Sequence, residues 1–556
     1  MKYNNKIKKA FPLVILTVIT LLLGTTFRAP NDIYDKINRN MDIFGRVYKE
    51  VALNYVDEID PDKFMKAGIE GMLSTLDPYT VYYDENSKDQ LDLISTGKYG
   101  GIGVSIGIKD SAVFITDVMP GYEAERKGLR IGDRIIAIDG NQINDASSSQ
   151  FRSYFRGAPG SSINVSILRD GQSFTVNLIR EEINLKVISY SGFLEPFEDG
   201  IGYIKLDRFT LNSDKEFDNA LRSLKAKGNL KGLVFDLRGN GGGLLDAAIG
   251  ILNKLVDKNS LLLITKSKDP NSEKKYFSSE EPVIDKSVPL IVLVNENTAS
   301  ASEIVAGAIQ DLDRGIIIGS KSFGKGLVQE IRDLSFDTKL KITASKYFTP
   351  SGRWIQQKNY FKENKFGVFL NKDKYDQLEF KTLGGRIVFA NGGITPDIEV
   401  KTQAESDLHF ALLSKDMFFK FSNYYLEKHP GISKVEMSDG LFSEFKNFLA
   451  ENNFQYISSA GRKLDELQKI ASDKNYSPVT NELIAKLKND LDDENIKEID
   501  RNKDELLMSI LTDLNKRLVK TSEQVQASFR YDKQILEAER IIKDKAEYIR
   551  LLSKLN

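Results

Sequence analysis

The stretch KGLVFDLRGNGGGLLDAAIGILNKL, Lys231–Leu255, carries the architecture in one line. Its opening GLVF is an apolar run of the kind found in a strand buried on both faces. Asp236-Leu237-Arg238-Gly239-Asn240-Gly241-Gly242-Gly243-Leu244 then passes into glycine, and LLDAAIGILNKL follows with helical spacing. Strand, glycine turn and helix form the unit from which α/β folds are built. Three glycines in a row exceed what a turn needs. They let successive N–H groups point outward together, a nest that suits an anion, whether phosphate or oxyanion.

The same texture extends outward from about residue 185 to 400. IGYIKL (201–206), PLIVLV (289–294) and GIIIG (315–319) read as buried strands, and SASEIVAGAIQDL (300–312) as a helix between two of them. A second constellation, Thr298-Ala299-Ser300-Ala301-Ser302-Glu303-Ile304, lies at another strand-to-helix junction. Small residues there admit a substrate backbone, and a helix N-terminus offers spare amides. Ser300 or Ser302 could equally be a plain N-cap, with Glu303 closing a capping box onto Ser300.

A third stretch, GSKSFGKG (319–326), nearly spells a P-loop. It lacks Ser or Thr after Lys325, and LVQEIRDLSF (327–336) is a poor amphipathic helix. An S-x-x-K pair of Ser322 with Lys325 needs both on one helical turn, which Gly324 and Gly326 disfavour. What remains is a lysine offered from a glycine-hinged loop.

Composition narrows the chemistry. The 556 residues call for several domains, and 78 Lys and Arg against 79 Asp and Glu give no reason to expect nucleic acid as a partner. No cysteine is present, so disulfides, thiol nucleophiles and cysteine-bound metal are excluded. The only two histidines, His409 and His429, fall late in a charged helical region, which argues against a Ser-His-Asp triad or a histidine metal site. No cofactor and no metal is expected. A serine at a helix N-terminus, a glycine nest and a loop lysine are together the parts of a Ser/Lys acyl-transfer site. Lysine can then replace histidine as the base. With an ordinary pKa of about 10.4, only about 0.04% would be neutral at pH 7, so Lys325 is expected to be sheltered.

At the N-terminus, Lys2, Lys6, Lys8 and Lys9 precede an apolar run, Phe11–Leu23, short for a membrane span and suited to a signal peptide. GTTFRAP is a poor cleavage site, so residues 1–29 are expected to be a signal peptide or a membrane anchor, and the chain to work in the periplasm or another exported location. Residues 30–95 read as helical, with apolar positions at Ile43, Val47, Val51, Phe64, Ile69, Met72 and Leu76 ahead of the Leu76-Asp77-Pro78 stop. Residues 96–184 alternate as short strands with Asp139-Gly140 and Asp170-Gly171 turns. Residues 185–400 form the α/β core. Residues 401–556 are a charged helical extension, with stripes at Leu507, Ile510, Leu511, Leu514 and at Leu483, Leu487, Leu491 expected to pack inward.

Several motifs in series resemble the carboxyl-terminal processing (tail-specific) proteases, peptidase family S41: LDPYTVYY, YGGIGVSI, DLRGNGGGLL, TASASEIVAGAIQD, SFGKGLVQ, YFTPSGRWIQ and GGITPDIEV, spanning about residues 40–400. The resemblance implies a crotonase/ClpP-like α/β protease core with an inserted PDZ domain, and a serine endopeptidase that hydrolyses peptide bonds through an acyl-enzyme. It implies Ser300 as nucleophile, Lys325 as general base and Gln329 as the residue orienting it. It further implies an oxyanion hole from Ala301 and Gly242, with Gly241 close behind, and supporting positions at Glu303, Asp311 and Ser322. Ser322 stands where threonine is commoner. Tyr99-Gly100-Gly101-Ile102-Gly103 would be the PDZ loop that captures a free C-terminal carboxylate, and Arg156 occupies a place where related enzymes use an arginine to link PDZ position to activity. Partners implied are protein or peptide substrates with free C-termini; membrane association, a homo-oligomer or an adaptor protein stay open. The rival reading is a catalytically silent PDZ scaffold or adaptor in the cell envelope.

Overall fold

A computed structural model of the chain describes residues 31–85, 93, 95–109, 112–143, 154–169, 171–228, 230–358, 360, 378–390, 392–401 and 406–553. The expected signal or anchor segment, 1–29, and the Asp170 turn position lie outside them. Among the described residues no helix is long and apolar enough to cross a membrane.

An N-terminal unit ends at Tyr82. It holds two helices, Asn31–Asn54 and Pro61–Leu73. Asp60 caps the second by accepting from the Asp62 and Lys63 amides, and Pro61 takes the first helical position, where a missing N–H costs nothing. Of the apolar positions in this helical pattern, Ile43, Val47 and Met72 are exposed.

The β-rich module in the remaining unit is a six-stranded antiparallel sheet, in order Val104–Lys109, Ala112–Val118, Arg134–Ile138, Ser162–Arg169, Gln172–Ile179, with Asn141–Gln142 paired beside Arg134–Ile138. Asp139 and Gly140 both adopt positive φ, the geometry a two-residue hairpin demands. Lys98–Gly101 pairs separately with Glu181–Asn184.

The core is a second six-stranded sheet, in order Ile188–Phe193, Ile201–Leu206, Gly232–Asp236, Leu290–Val294, Ile316–Gly319, Ile398–Glu399, parallel except for its first pair. Every residue of the three middle strands is buried. Alternate side chains divide between two hydrophobic clusters, as the pleat requires. Phe235, Val292 and Ile317 meet Phe217, Ala248 and Val305 from the helices Ser213–Lys227, Leu245–Leu252 and Ala301–Asp311. On the other face Val234, Leu293 and Ile318 meet Phe529, Ile535, Ala538 and Ile541.

That second face changes the meaning of the C-terminal region. The single extension expected at 401–556 is two structures. Residues from about 407 to 518 build their own aromatic core around Phe421, Phe445 and Phe448, which buries the expected stripe Leu507, Ile510, Leu511 and Leu514. The helices Lys533–Lys543 and Lys545–Leu552 instead return to the six-stranded core sheet, and the Tyr548 hydroxyl accepts from the Leu290 amide (3.0 Å). Parallel strands apolar on both sides need cover on both, at roughly 1.5–3 kcal/mol for each large side chain buried. Leu483 and Leu487 are exposed, contrary to expectation; Ile484, one position round the helix, turns inward in their place.

Candidate active site

Three loops converge at the C-terminal edge of the core strands. The first, Leu237–Leu244, is laced to the second by Asn240, whose side chain is fully buried. The Asn240 carbonyl accepts from the Ala299 amide (3.0 Å) and from the Ser302 hydroxyl (2.9 Å), and its side-chain amide donates to Leu206 O (2.8 Å). Ser302 is therefore a structural serine. Ser300 is the residue at which the helix Ala301–Asp311 begins, and its backbone sits at φ 56°, ψ −116°. That conformation is close to glycine-only territory and is strained for a residue with a β-carbon.

Glu303 ties Ser300 to the third loop. Its carboxylate, 0% exposed, accepts four hydrogen bonds. Oε2 takes the amides of Ser300 (2.9 Å) and Lys325 (2.9 Å); Oε1 takes the Ser322 hydroxyl (2.6 Å) and the Gly324 amide (2.6 Å). Burial pushes its pKa up to about 7, against the pull of those four donors. Ser322 thus serves Glu303 and is not a partner of Lys325. Gly324 has φ +82° and Gly326 faces Trp354 Nε1, 2.6 Å from where a β-carbon would stand, so both glycines are required by the turn and its packing. A strand, Leu327–Asp333, follows, and with no helix after the lysine the P-loop reading falls.

Ser300, Ala301, Gly242, Lys325 and Gln329 line one cavity of about 480 Å³, together with Tyr347. The buried Tyr347 hydroxyl, kept protonated because burial raises its pKa, donates to Ser300 O (3.2 Å). The Gln329 side-chain amide donates to Thr343 Oγ1 (3.1 Å). Gly242 lies directly against Ser300, with its N–H donated to Asn240 Oδ1 (2.9 Å). The amide expected in an oxyanion hole is thus held by a neighbour in this conformation. A β-carbon on Gly242 would stand 2.7 Å from Ala299 O and 2.9 Å from Ser300 Cβ at φ +94°. Gly242→Ala is expected to cost about 1–3 kcal/mol of stability and at least about tenfold in kcat, read by thermal melting and peptide cleavage.

Asp311 is not brought to this cavity. It ends the helix that Ser300 begins, about 15 Å along its axis at 1.5 Å per residue. There it pairs with the fully buried Arg353 (2.7 Å) and accepts the Ser351 amide (3.0 Å). His409 and His429 pair with Glu505 and Glu444 in the helical extension and do not reach the site. Asn240 and Tyr347 are the contributors that sequence reasoning missed; an asparagine among glycines was the only local signal for the first. Among the described residues no group of three His, Asp or Glu is placed to hold a metal ion.

The expected carboxylate loop borders a separate cavity of about 230 Å³ lined by Tyr99, Ile102, Val104, Ile106, Phe155 and Arg156. Gly100 passes so close to Gly157 that a β-carbon there would lie 1.9 Å from the Gly157 carbonyl, and Gly103 has φ +80°. The Arg156 guanidinium stacks over Tyr99 at 5.3 Å from the ring centroid. Val104–Lys109 is the last strand of its sheet and has no strand on its outer side among the described residues.

Comparison with known proteins matches family models to four stretches of the chain. The model of peptidase family S41 matches residues 200–363, and that of the PDZ domain residues 100–179. The activating protease CtpB N-terminal domain model matches residues 26–87, and that of a probable PDZ-protease C-terminal helical domain residues 408–542. The carboxy-terminal-processing protease of Bartonella bacilliformis is 34% identical over 346 residues, 61% of this chain and 77% of that one. Carboxy-terminal processing protease CtpB of Bacillus subtilis is 32% identical over 324 residues, 58% of this chain and 66% of that one. Among solved structures, a photosystem II D1 C-terminal processing protease aligns at 26% identity and TM-score 0.37, covering 65% of this chain and 93% of that one.

Proposed function

Because this chain belongs to the carboxy-terminal processing proteases, serine-type peptidases of family S41 with a PDZ domain that binds peptides, we propose that it is an exported endopeptidase that engages unstructured C-termini and cleaves through an acyl-enzyme on Ser300. The observation that carries the reading is the backbone of Ser300. A serine held at φ 56° on a helix N-terminus, with one buried carboxylate gripping both its amide and that of Lys325, is strain kept for a purpose.

In this reading the Ser300 hydroxyl attacks the scissile carbonyl carbon and its proton passes to neutral Lys325 Nζ. The C–N bond breaks as the lysine returns that proton to the leaving amine, and water repeats the sequence on the ester to free Ser300. Gln329 orients the lysine from the same cavity wall. Ala301 N–H, which has no acceptor within its own helix, stabilises the oxyanion, aided by the helix dipole. The second donor comes from Gly241–Gly243, and the Gly242 amide leaves Asn240 Oδ1 to supply it. In the PDZ domain the substrate C-terminus adds as a strand to Val104–Lys109. Its carboxylate sits at Tyr99–Gly103, its apolar side chain against Ile102 and Phe155, and Arg156 senses occupancy from beside Tyr99. The basic flank Lys2–Lys9 and the apolar run Phe11–Leu23 support export.

The test is mass-spectrometric mapping of products from a disordered substrate with an apolar C-terminus, for wild type and Ser300→Ala. Products are expected from wild type alone, and cleavage is expected to fall at least about tenfold when the substrate C-terminus is amidated. Equal products from Ser300→Ala overturn the nucleophile; indifference to amidation overturns C-terminal recognition.

A further inference from the structure

We propose that Asp532, on the C-terminal segment that covers the back of the sheet, is a positioning residue for the active-site loop Arg238–Gly243 and acts through Arg238. The proposal rests on the reading of Ser300 as nucleophile, because that loop matters to catalysis only through its contact with Ser300.

Arg238 opens the glycine loop and spends its guanidinium in two directions. Nε and Nη2 face Asp236, at 2.9 and 2.6 Å, and Asp236 is wholly buried. Nη1 donates to Asp532 Oδ2 (2.7 Å) and to Gln534 Oε1 (2.9 Å). The arginine is thus stretched between the end of its own strand and a helix almost 300 residues later in the chain. Both distant partners are anchored. Asp532 Oδ1 accepts the amides of Gln534 (3.0 Å) and Ile535 (3.2 Å), capping the helix Lys533–Lys543. Gln534, 1% exposed, donates to Val400 O (2.7 Å).

From Arg238 the chain has little freedom before it reaches Ser300. Gly239 N–H donates to Asn295 Oδ1 (2.9 Å), Asn240 binds the Ala299 and Ser302 groups, and Gly242 rests on Ser300. A guanidinium released from Nη1 can swing about its contact with Asp236, and the loop it opens moves with it. Misplacement of such a loop by a fraction of an ångström to 1 Å is costly to a reaction that depends on aligned donors.

The two oxygens of Asp532 do separate work, and this separates positioning from stability. Asn caps a helix as well as Asp does, so Asp532→Asn preserves the Oδ1 function. It replaces the charged acceptor facing Arg238 with an uncharged amide, and an orientation that presents the NH₂ opposes donor to donor.

In the full-length protein, Asp532→Asn is expected to lower kcat roughly 10- to 100-fold, with KM within about twofold and the melting temperature lower by only a few degrees, so that the variant stays folded at the assay temperature. In an Arg238→Lys background, where the ammonium cannot span both aspartates, Asp532→Asn is expected to have no further effect. A kcat within twofold of wild type, or an undiminished effect in the Arg238→Lys background, overturns the proposal. If Asp532→Asn does not fold, Gln534→Met, which leaves the cap intact and removes the other Nη1 acceptor, is expected to lower kcat about threefold; unchanged kcat there overturns it equally. Ser300→Ala, assayed alongside, separates the two ideas: activity surviving in that variant defeats the nucleophile assignment whatever Asp532 does.

Discussion

Lys325→Ala is expected to fold as wild type does and to cleave disordered peptides about 10,000-fold more slowly, and Lys325→Arg to be no better. Alanine removes the proposed base. Arginine keeps the charge and most of the length but stays protonated at any working pH, so it separates proton transfer from charge. The loop should tolerate both, because its backbone is held independently of the lysine side chain. The Lys325 amide goes to Glu303, the Gln357 amide reaches Gly324 O (2.9 Å), and the Gly326 amide reaches Gln356 Oε1 (2.7 Å). Trp354 Nε1 adds a bond to Gly326 O (2.8 Å). The checks are kcat/KM and thermal melting on the same preparations. An active Lys325→Arg enzyme would remove Lys325 from the role of proton acceptor.

Glu303→Gln is expected to cost about 2–5 kcal/mol of stability and at least about 100-fold in kcat. Each carboxylate oxygen receives two donors, so a glutamine in either orientation turns an NH₂ group on one pair. Ser300 or the lysine loop must then shift. The same carboxylate makes a pH prediction. Burial raises its folded pKa to about 7 from an ordinary 4.5, so between those values the folded protein holds the proton more tightly than the unfolded chain. Its contribution to stability is therefore fully present below about pH 4.5 and lost as pH rises through about 7, on the order of 3 kcal/mol in all. Activity should run the other way, since only the ionised carboxylate accepts all four donors. Melting temperatures of wild type and Glu303→Gln, measured from about pH 4.5 to 8, should converge as pH rises. Curves that stay parallel would show that Glu303 does not titrate there.

Several of these features could be read from residue order. The apolar runs at 201–206, 232–235, 290–294 and 316–318 announced buried parallel strands, and the glycines after Asp236 announced a backbone nest. The absence of cysteine and the lateness of both histidines left lysine as the base to look for. Asp311 shows where that reading stops. A helix places its two ends far apart, and a residue grouped with Ser300 by motif spends its carboxylate on Arg353 at the far end. Gly242 shows another limit: its local sequence suits an amide donor, but whether the amide is available depends on Asn240 beside it.

By itself, then, the order of residues determined the strand and helix periods, the glycine-only turns and the residue types that converge at the strand ends, because these depend on neighbours within a few positions. Tertiary structure alone decided which groups meet. Glu303 reaches the Lys325 amide, and Arg238 reaches Asp532, across 22 and 294 residues of chain respectively. A strand apolar on both sides signals that both faces are covered, but burial is non-directional and names no partner. Only the closed fold shows that helices from the end of the chain supply that cover and bring a carboxylate to the glycine loop.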